Sequence, residues 1–143
     1  MAQTIHVLNG PNLNLLGVRE PEIYGQRGFE AFLADLRADF PNVELLYSQS
    51  NAEAELVNTL HQFGASCQGI IFNPAAYTHT SIALADAVKA ISIPVIEVHI
   101  SNVFQRESYR HHSYISPAAQ GVISGLGLEA YRLAIRYLEK ASV

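Results

Sequence analysis

Cysteine is almost absent from this 143-residue chain, which contains only Cys67. A single cysteine excludes an internal disulfide and any metal site built from several thiolates. The neighbouring Ser66 and Gln68 lead into an apolar stretch. We therefore expect Cys67 to be a buried structural thiol rather than a nucleophile.

Charged residues are also scarce, at 15% of the chain against 49% hydrophobic residues. A small soluble domain normally covers a large surface with polar groups, so we expect part of this surface to be buried between the subunits of a homo-oligomer. The formal net charge is −4. Because phosphate binding usually needs a basic face, nucleic acid is not expected as a partner.

Long apolar runs are missing as well. No stretch approaches the ~20 apolar residues needed to cross a bilayer, and no basic segment followed by an apolar one resembles a secretory signal. We therefore predict a cytoplasmic protein that is not bound to a membrane. The length predicts one domain, residues 1–143, with a single proper core.

Short apolar runs alternate along the chain with segments of helical spacing. The pattern predicts strands at 4–8, 43–47, 69–72, 94–100 and 121–123, and helices at 29–40, 50–64, 81–91 and 128–140. Ser50 and Glu53 have the spacing of a capping box at the start of the second helix, and Tyr131 faces inward on the last. Alternating strands and helices indicate a parallel sheet covered on both faces. Five strands in this length favour the flavodoxin-like α/β fold.

Polar residues follow three of the predicted strands, at positions 9–14, 73–80 and 101–102. In sheets of this kind ligands bind beyond the carboxyl ends of the strands. Three polar segments at one edge therefore predict a ligand site. Asn-Gly-Pro and Asn-Pro are also common turn formers, and Thr78 or Thr80 could simply cap the third helix.

Glu97 and His99 are two positions apart on the predicted fourth strand, so they share one face of the sheet. They could form a buried ion pair that stabilises the core. They could also be half of a metal site completed by His79, His111 and His112. No familiar ligand spacing connects these histidines, so the sequence does not favour a metal.

The segment 16–25, called here the lid segment, is too long and too polar for a strand-to-helix turn, which normally takes about 2–6 residues. Gly17 and Gly25 bracket it, and it contains Arg19 and Tyr24. A long loop with ionisable groups beside a ligand site is typical of a lid. An ordinary mobile loop would have the same composition.

Segments 8–17, 19–21, 24–25, 73–81, 97–102, 106–107, 110–113 and 121–125 together resemble the type II 3-dehydroquinate dehydratases. The resemblance covers nearly the whole chain in the right order. It implies a flavodoxin-like fold, no metal or organic cofactor, and a dodecamer assembled as a tetramer of trimers. The visible departure is Tyr109, where phenylalanine is commoner; the change keeps an aromatic ring.

The resemblance also implies an activity, the conversion of 3-dehydroquinate to 3-dehydroshikimate and water by anti elimination through an enolate. This is the third step of the shikimate pathway, although quinate breakdown uses the same reaction. Tyr24 would be the general base and His99 the general acid. Arg19 and Arg106 would support the tyrosinate, and Asn12 would hold a water or the developing enolate.

Further residues are implied to bind the substrate's hydroxyls and carboxylate, the latter partly through backbone amides; they are Asn73, His79, Ile100, Ser101 and Arg110. Asp86 would reach into a neighbouring subunit's site. On its strand, Glu97 could keep His99 protonated or fix the orientation of its ring.

Another route to the same product passes through an imine on a catalytic lysine. The chain has only Lys89 and Lys140, both late in predicted helices and far from the strand ends. A desolvated, activated lysine is therefore not expected.

The main alternative is a flavodoxin-like small-ligand-binding module without catalysis. A nucleotide- or flavin-binding module would need a Gly/Ser/Thr-rich phosphate loop after the first strand, where the sequence has Asn-Gly-Pro-Asn. A phospho-accepting signalling domain would need acidic residues where Asn9 and Asn73 stand. An inactive scaffold is a third alternative, against which the presence of Tyr24 and His99 argues.

Overall fold

The computed structural model describes residues 3–18, 20, 22 and 28–141. The described residues form five strands, which are β1 Gln3–Asn9, β2 Val43–Gln49, β3 Gly69–Asn73, β4 Val95–His99 and β5 Gly121–Ser124. The α-helices that lie fully within them are α1 Phe29–Asp39, α2 Glu53–Gly64, α3 Ile82–Ala90 and α4 Glu129–Ala141. Every predicted strand and helix is present, with ends shifted by at most three residues. None of the described helices has the length and apolar character to cross a membrane.

The five strands are all parallel and lie in the order β2-β1-β3-β4-β5. This is the strand order of flavodoxin-like sheets, so the predicted fold is confirmed. The connections change direction between β1 and β3, where Asn9 lies opposite Asn73 in the register. A ligand crevice is expected at the carboxyl ends of these two strands.

Each face of the sheet carries its own hydrophobic cluster. One cluster contains the buried residues of α1 and α4, and the other those of α2 and α3. β3 is buried along its whole length between the two, which explains its unbroken apolar sequence. Cys67 is also buried, and burial raises the pKa of its thiol, as expected for a structural cysteine.

The capping box predicted at the start of α2 is wrong. The helix begins at Glu53, after Ala52. The hydroxyl of Ser50 accepts a hydrogen bond from the Ala52 N–H at 3.0 Å and donates to Glu55 at 2.7 Å. Ser50 therefore closes a turn before the helix, because a serine side chain can bond the local backbone in non-helical conformations too.

His6 is a buried polar residue of β1, with only 1% of its surface exposed. Its ring lies against Phe63, with ring centroids 3.9 Å apart, and Nε2 is 2.9 Å from the Ser48 hydroxyl. The other ring nitrogen, Nδ1, is buried and has no hydrogen-bond partner among the described residues. Burial lowers the pKa of His6 to about 4. The fold thus accommodates the neutral ring and disfavours the charged one.

We expect the free energy of unfolding to decrease as the pH falls from about 6.5, the pKa of an unfolded histidine, towards 4. In this window the unfolded chain binds the proton that buried His6 refuses, so acid favours unfolding. The free energy of unfolding should be lower by about 1–2 kcal/mol at about pH 5 than near neutral pH, after allowance for solvent screening. Urea unfolding of the protein and of His6→Leu near neutral pH and near pH 5 checks this. An identical pH dependence in both proteins would show that His6 contributes nothing.

Candidate active site

A cavity of about 150 Å³ opens at the carboxyl ends of the strands, between the segments that follow β1, β3 and β4. It lies where the polar segments of the sequence predicted a ligand site. The predicted site residues that line it are Asn12, Asn73, His79, His99, Ile100, Ser101, Arg106 and Arg110. The structure thus brings together residues from three segments that are distant in the sequence.

The other predicted site residues are not among the described residues that line the cavity. Tyr24 and Arg19 fall outside the described residues, as does half of the lid segment. Asp86 is exposed on α3 and is not among the residues that line the cavity. Glu97 is fully buried beneath the cavity, next to His99.

Glu97 and His99 form a buried pair at the end of β4, with His99 Nε2 2.5 Å from Glu97 Oε2. Two hydroxyls also donate to the carboxylate, from Thr78 at 2.6 Å and from Ser116 at 2.5 Å. Burial alone would raise the pKa of Glu97. Three hydrogen bonds oppose this effect, one from His99 and one from each hydroxyl, and the positive charge of His99 acts in the same direction. Together they hold the pKa of Glu97 below its ordinary value. Glu97 is therefore ionised at neutral pH.

The ionised Glu97 fixes how His99 can act. A carboxylate only accepts hydrogen bonds, so His99 Nε2 carries a proton in this pair. This leaves Nδ1 as the ring nitrogen that can exchange a proton with a ligand in the cavity. The predicted same-face arrangement is confirmed as a buried pair. In the part of the chain that the structure describes, no three His, Cys, Asp or Glu side chains are grouped to hold a metal ion.

Thr78 belongs to the Glu97 network and does not cap α3. Its hydroxyl lies 2.5 Å from that of Ser113, as well as donating to Glu97. The helix is capped by Ser81, whose hydroxyl accepts the N–H of Leu84 at 2.9 Å. The idea that Thr78 or Thr80 caps this helix is therefore wrong. The roles of Thr78, Ser113 and Ser116 were not predicted from the sequence. The only indication of them there is that these polar residues lie near the motifs of the site.

Asn12 lies in the loop after β1 with a left-handed φ of 71°, a conformation that asparagine tolerates better than most residues. Its N–H donates to Asn51 Oδ1 at 3.0 Å. Gln49 Nε2 donates to the same oxygen and to the Gly10 carbonyl, each at 3.1 Å. A Cβ at Gly10 would lie 2.7 Å from the Pro74 carbonyl oxygen, so only glycine fits there. The loop is thus held from both neighbouring strands.

His79 supplies an acceptor to the cavity rather than a charge. Its Nδ1 lies 2.8 Å from the His112 carbonyl, which only accepts, so Nδ1 carries the proton and Nε2 is the acceptor. Burial lowers the pKa of His79, helped by the positive charges of His99 and Arg110. The ring is therefore neutral near pH 7.

Two guanidinium groups give the described part of the cavity its positive charge. Arg106 lies with Nη1 3.4 Å from the Ser101 hydroxyl. Arg110 pairs with Glu107 at 2.6 Å. An arrangement of a buried carboxylate–histidine pair, a neutral histidine, amides and arginines can bind a hydroxylated anion and move protons on it.

The family model described as dehydroquinase class II matches residues 3–139. The chain belongs to the class II dehydroquinase family. A 3-dehydroquinate dehydratase from Legionella pneumophila (strain Corby) is 56% identical to this chain over 139 residues, which cover 95% of this chain and 96% of that protein. The 3-dehydroquinate dehydratase 2 of Agrobacterium fabrum is 53% identical over 134 residues, or 92% and 91% of the two chains.

Solved structures agree with these sequence relatives. The crystal structure of a type II dehydroquinase from Butyrivibrio crossotus matches this structure with a TM-score of 0.93 and 42% identity, covering 96% of this chain and 98% of that one. The resemblance that the sequence motifs indicated is therefore confirmed.

Proposed function

We propose that this protein is a 3-dehydroquinate dehydratase, a hydro-lyase of the shikimate pathway that converts 3-dehydroquinate to 3-dehydroshikimate and water. The observation that carries the proposal is the buried Glu97–His99 pair at a cavity that contains two arginines. The relatives named above support the choice of substrate.

In the proposed mechanism Tyr24 is the general base and removes a proton from the carbon next to the ketone. An unperturbed tyrosine has a pKa of about 10, so it needs neighbouring positive charge to act at neutral pH. Arg19 and Arg106 would supply that charge, and Arg106 lines the cavity. The enolate that forms would be stabilised by Asn12, directly or through a water.

The second step expels the hydroxyl group β to the original ketone. The electron pair of the enolate re-forms the ketone and a carbon–carbon double bond, and the departing hydroxyl takes a proton from His99 Nδ1 to leave as water. Glu97 stabilises the protonated ring and holds its orientation. Anti elimination requires the base and the acid to act from opposite faces of the substrate ring.

Substrate binding is assigned to the remaining residues of the cavity. We propose that His79 Nε2 and the Asn73 amide bind hydroxyl groups. Arg110 and the backbone amides of Ile100 and Ser101 would bind the carboxylate. These groups account for both the polarity and the charge of the substrate.

The test is to add 3-dehydroquinate to purified protein and follow the ultraviolet absorbance of the conjugated enone, with chelator and after borohydride treatment in the presence of substrate. We expect the absorbance to rise under both conditions. Lys89 and Lys140 lie in the last turns of α3 and α4 and do not line the cavity, so no imine should be trapped. Quinate, which lacks the ketone, is the negative control.

Two results would contradict the proposal in different ways. Activity lost only after borohydride would indicate an imine and remove Tyr24 from its role. No absorbance change with a well-folded protein would favour the alternative, a flavodoxin-like small-ligand-binding module without catalysis.

The assembly and location are also proposed. We infer one catalytic domain, residues 1–143, in a cytoplasmic dodecamer built as a tetramer of trimers. The exposed position of Asp86 on α3 suits a side chain that enters a neighbouring subunit's site, and Ile82 beside it is an exposed apolar residue. Light scattering tests the assembly, since a monomer in solution would exclude it.

A further inference from the structure

Tyr131 of α4 is fully buried, yet its hydroxyl reaches the carboxyl ends of two strands. It donates to Asn9 Oδ1 at 2.8 Å and accepts from Asn73 Nδ2 at 2.8 Å. Asn9 and Asn73 are register partners on β1 and β3, and both are buried. One hydroxyl thus ties two amide side chains together where the strand connections change direction.

The direction of each hydrogen bond follows from a backbone group. The N–H of Ala75 donates to Asn73 Oδ1 at 3.0 Å, so Nδ2 is the atom that faces Tyr131. Since the Tyr131 oxygen accepts from Asn73, its single proton goes to Asn9. A flip of the Asn73 amide would place its NH₂ group against the Ala75 N–H and remove the donor to Tyr131. The network therefore permits one orientation of Asn73.

In that orientation Asn73 keeps part of its hydrogen-bonding capacity for a ligand. A primary amide has two N–H donors and two acceptor lone pairs. Tyr131 uses one donor and Ala75 uses one lone pair, which leaves one of each. Asn73 is also one of the residues that line the cavity. Burial also raises the pKa of Tyr131 far above that of an ordinary tyrosine, so its hydroxyl stays neutral and can both donate and accept.

We propose that Tyr131 is a positioning residue for substrate binding, which holds the Asn73 amide so that its remaining donor and acceptor meet the substrate's hydroxyl groups. Tyr131 contacts no ligand itself, because it is enclosed in the core beneath the cavity. The inference rests on the proposed function, in which Asn73 contacts 3-dehydroquinate.

The first experiment compares two tyrosine-to-phenylalanine variants of one core cluster. Tyr131→Phe should raise KM for 3-dehydroquinate about tenfold, the effect of one misplaced hydrogen bond, and change kcat by less than about threefold. Tyr47→Phe is the matched control, since Tyr47 packs against the same cluster and its hydroxyl lies 3.4 Å from Asn9 Nδ2, so it bonds the other asparagine. It should leave KM unchanged. Thermal unfolding of both variants measures the purely structural cost, which KM does not report.

The second experiment is a double-mutant cycle with Asn73→Ala. If Tyr131 acts through Asn73, the alanine variant raises KM and adding Tyr131→Phe raises it no further. Additive increases, or a wild-type KM for Tyr131→Phe, would overturn the proposal. A wild-type KM for an active Asn73→Ala would instead show that the substrate contact is wrong, while the dehydratase assignment would still stand.

Loss of folded protein is controlled for as well. KM does not depend on how much of a preparation is folded, so partial unfolding of Tyr131→Phe leaves the readout intact. If no folded Tyr131→Phe is obtained, Asn9→Ser releases the Tyr131 hydroxyl from its other partner and should also raise KM. An unchanged KM in folded Asn9→Ser would overturn the positioning role.

Discussion

Replacing Tyr24 with phenylalanine should lower kcat for 3-dehydroquinate by about a thousandfold and leave the affinity for a substrate analogue nearly unchanged. The phenolic oxygen is the proposed proton acceptor, whereas the aromatic ring is retained in the variant. The measurement is steady-state kinetics by enone absorbance, with analogue binding followed by calorimetry. The effect should fall on kcat because the lost interaction is made in the transition state.

The matched control for this variant is Tyr109→Phe, which makes the same chemical change at a tyrosine that is 65% exposed. Phenylalanine is also the commoner residue there in the family that the sequence resembles, so kinetics should stay within about twofold of the parent, the range of a neutral surface change. Retention of more than a few per cent of activity in Tyr24→Phe would remove Tyr24 from its role as base. His79 would then be the next candidate, because its ring is neutral and Nε2 is an acceptor.

Replacing His99 with alanine should also reduce turnover, by about 10²- to 10⁴-fold, but it should leave the first proton transfer possible. In the proposed mechanism Tyr24 can still form the enolate, whereas the departing hydroxyl group has lost its proton donor, His99 Nδ1. Exchange of the substrate's α-proton with deuterium oxide, followed by NMR, should therefore continue slowly while enone formation is nearly lost. His61→Ala, at an exposed position on α2, is the control and should have no effect.

The ratio of exchange to turnover decides between two roles for His99. An exchange rate that falls in parallel with turnover would mean that His99 is needed to remove the first proton, and its assignment as the acid would be wrong. Glu97 would also lose its ion-pair partner and remain as a buried charge in the alanine variant, so the folded fraction must be measured alongside.

The features that were predicted correctly from the sequence depend on a local pattern of residues. The apolar run of β3 identified a central strand, and the two-residue spacing of Glu97 and His99 placed both on one face. The inward position of Tyr131 followed from helical spacing in the same way. In each case the periodicity of a single element carries the information.

Other features depend on contacts that no local pattern encodes. The hydroxyl of Tyr131 binds side chains 58 and 122 residues away in the sequence. Ser116 reaches Glu97 across 19 residues from an irregular segment. At Ser50 two local arrangements compete for the same side chain, and the one without a helix cap is adopted. Only the packed structure shows which polar groups find each other.

The hydrogen bond between the last helix and the first strand has a consequence for folding during synthesis. Asn73 is oriented by a hydroxyl that lies 58 residues further along the chain, and that hydroxyl is itself held by β1. During synthesis, β1 and β3 leave the ribosome well before α4, and contacts of such large sequence separation form late because a long loop must close. A chain that stops short of α4 would display most of the polar motifs, yet it would lack the hydroxyl that fixes Asn73. Full affinity for the substrate should therefore appear only after α4 has docked.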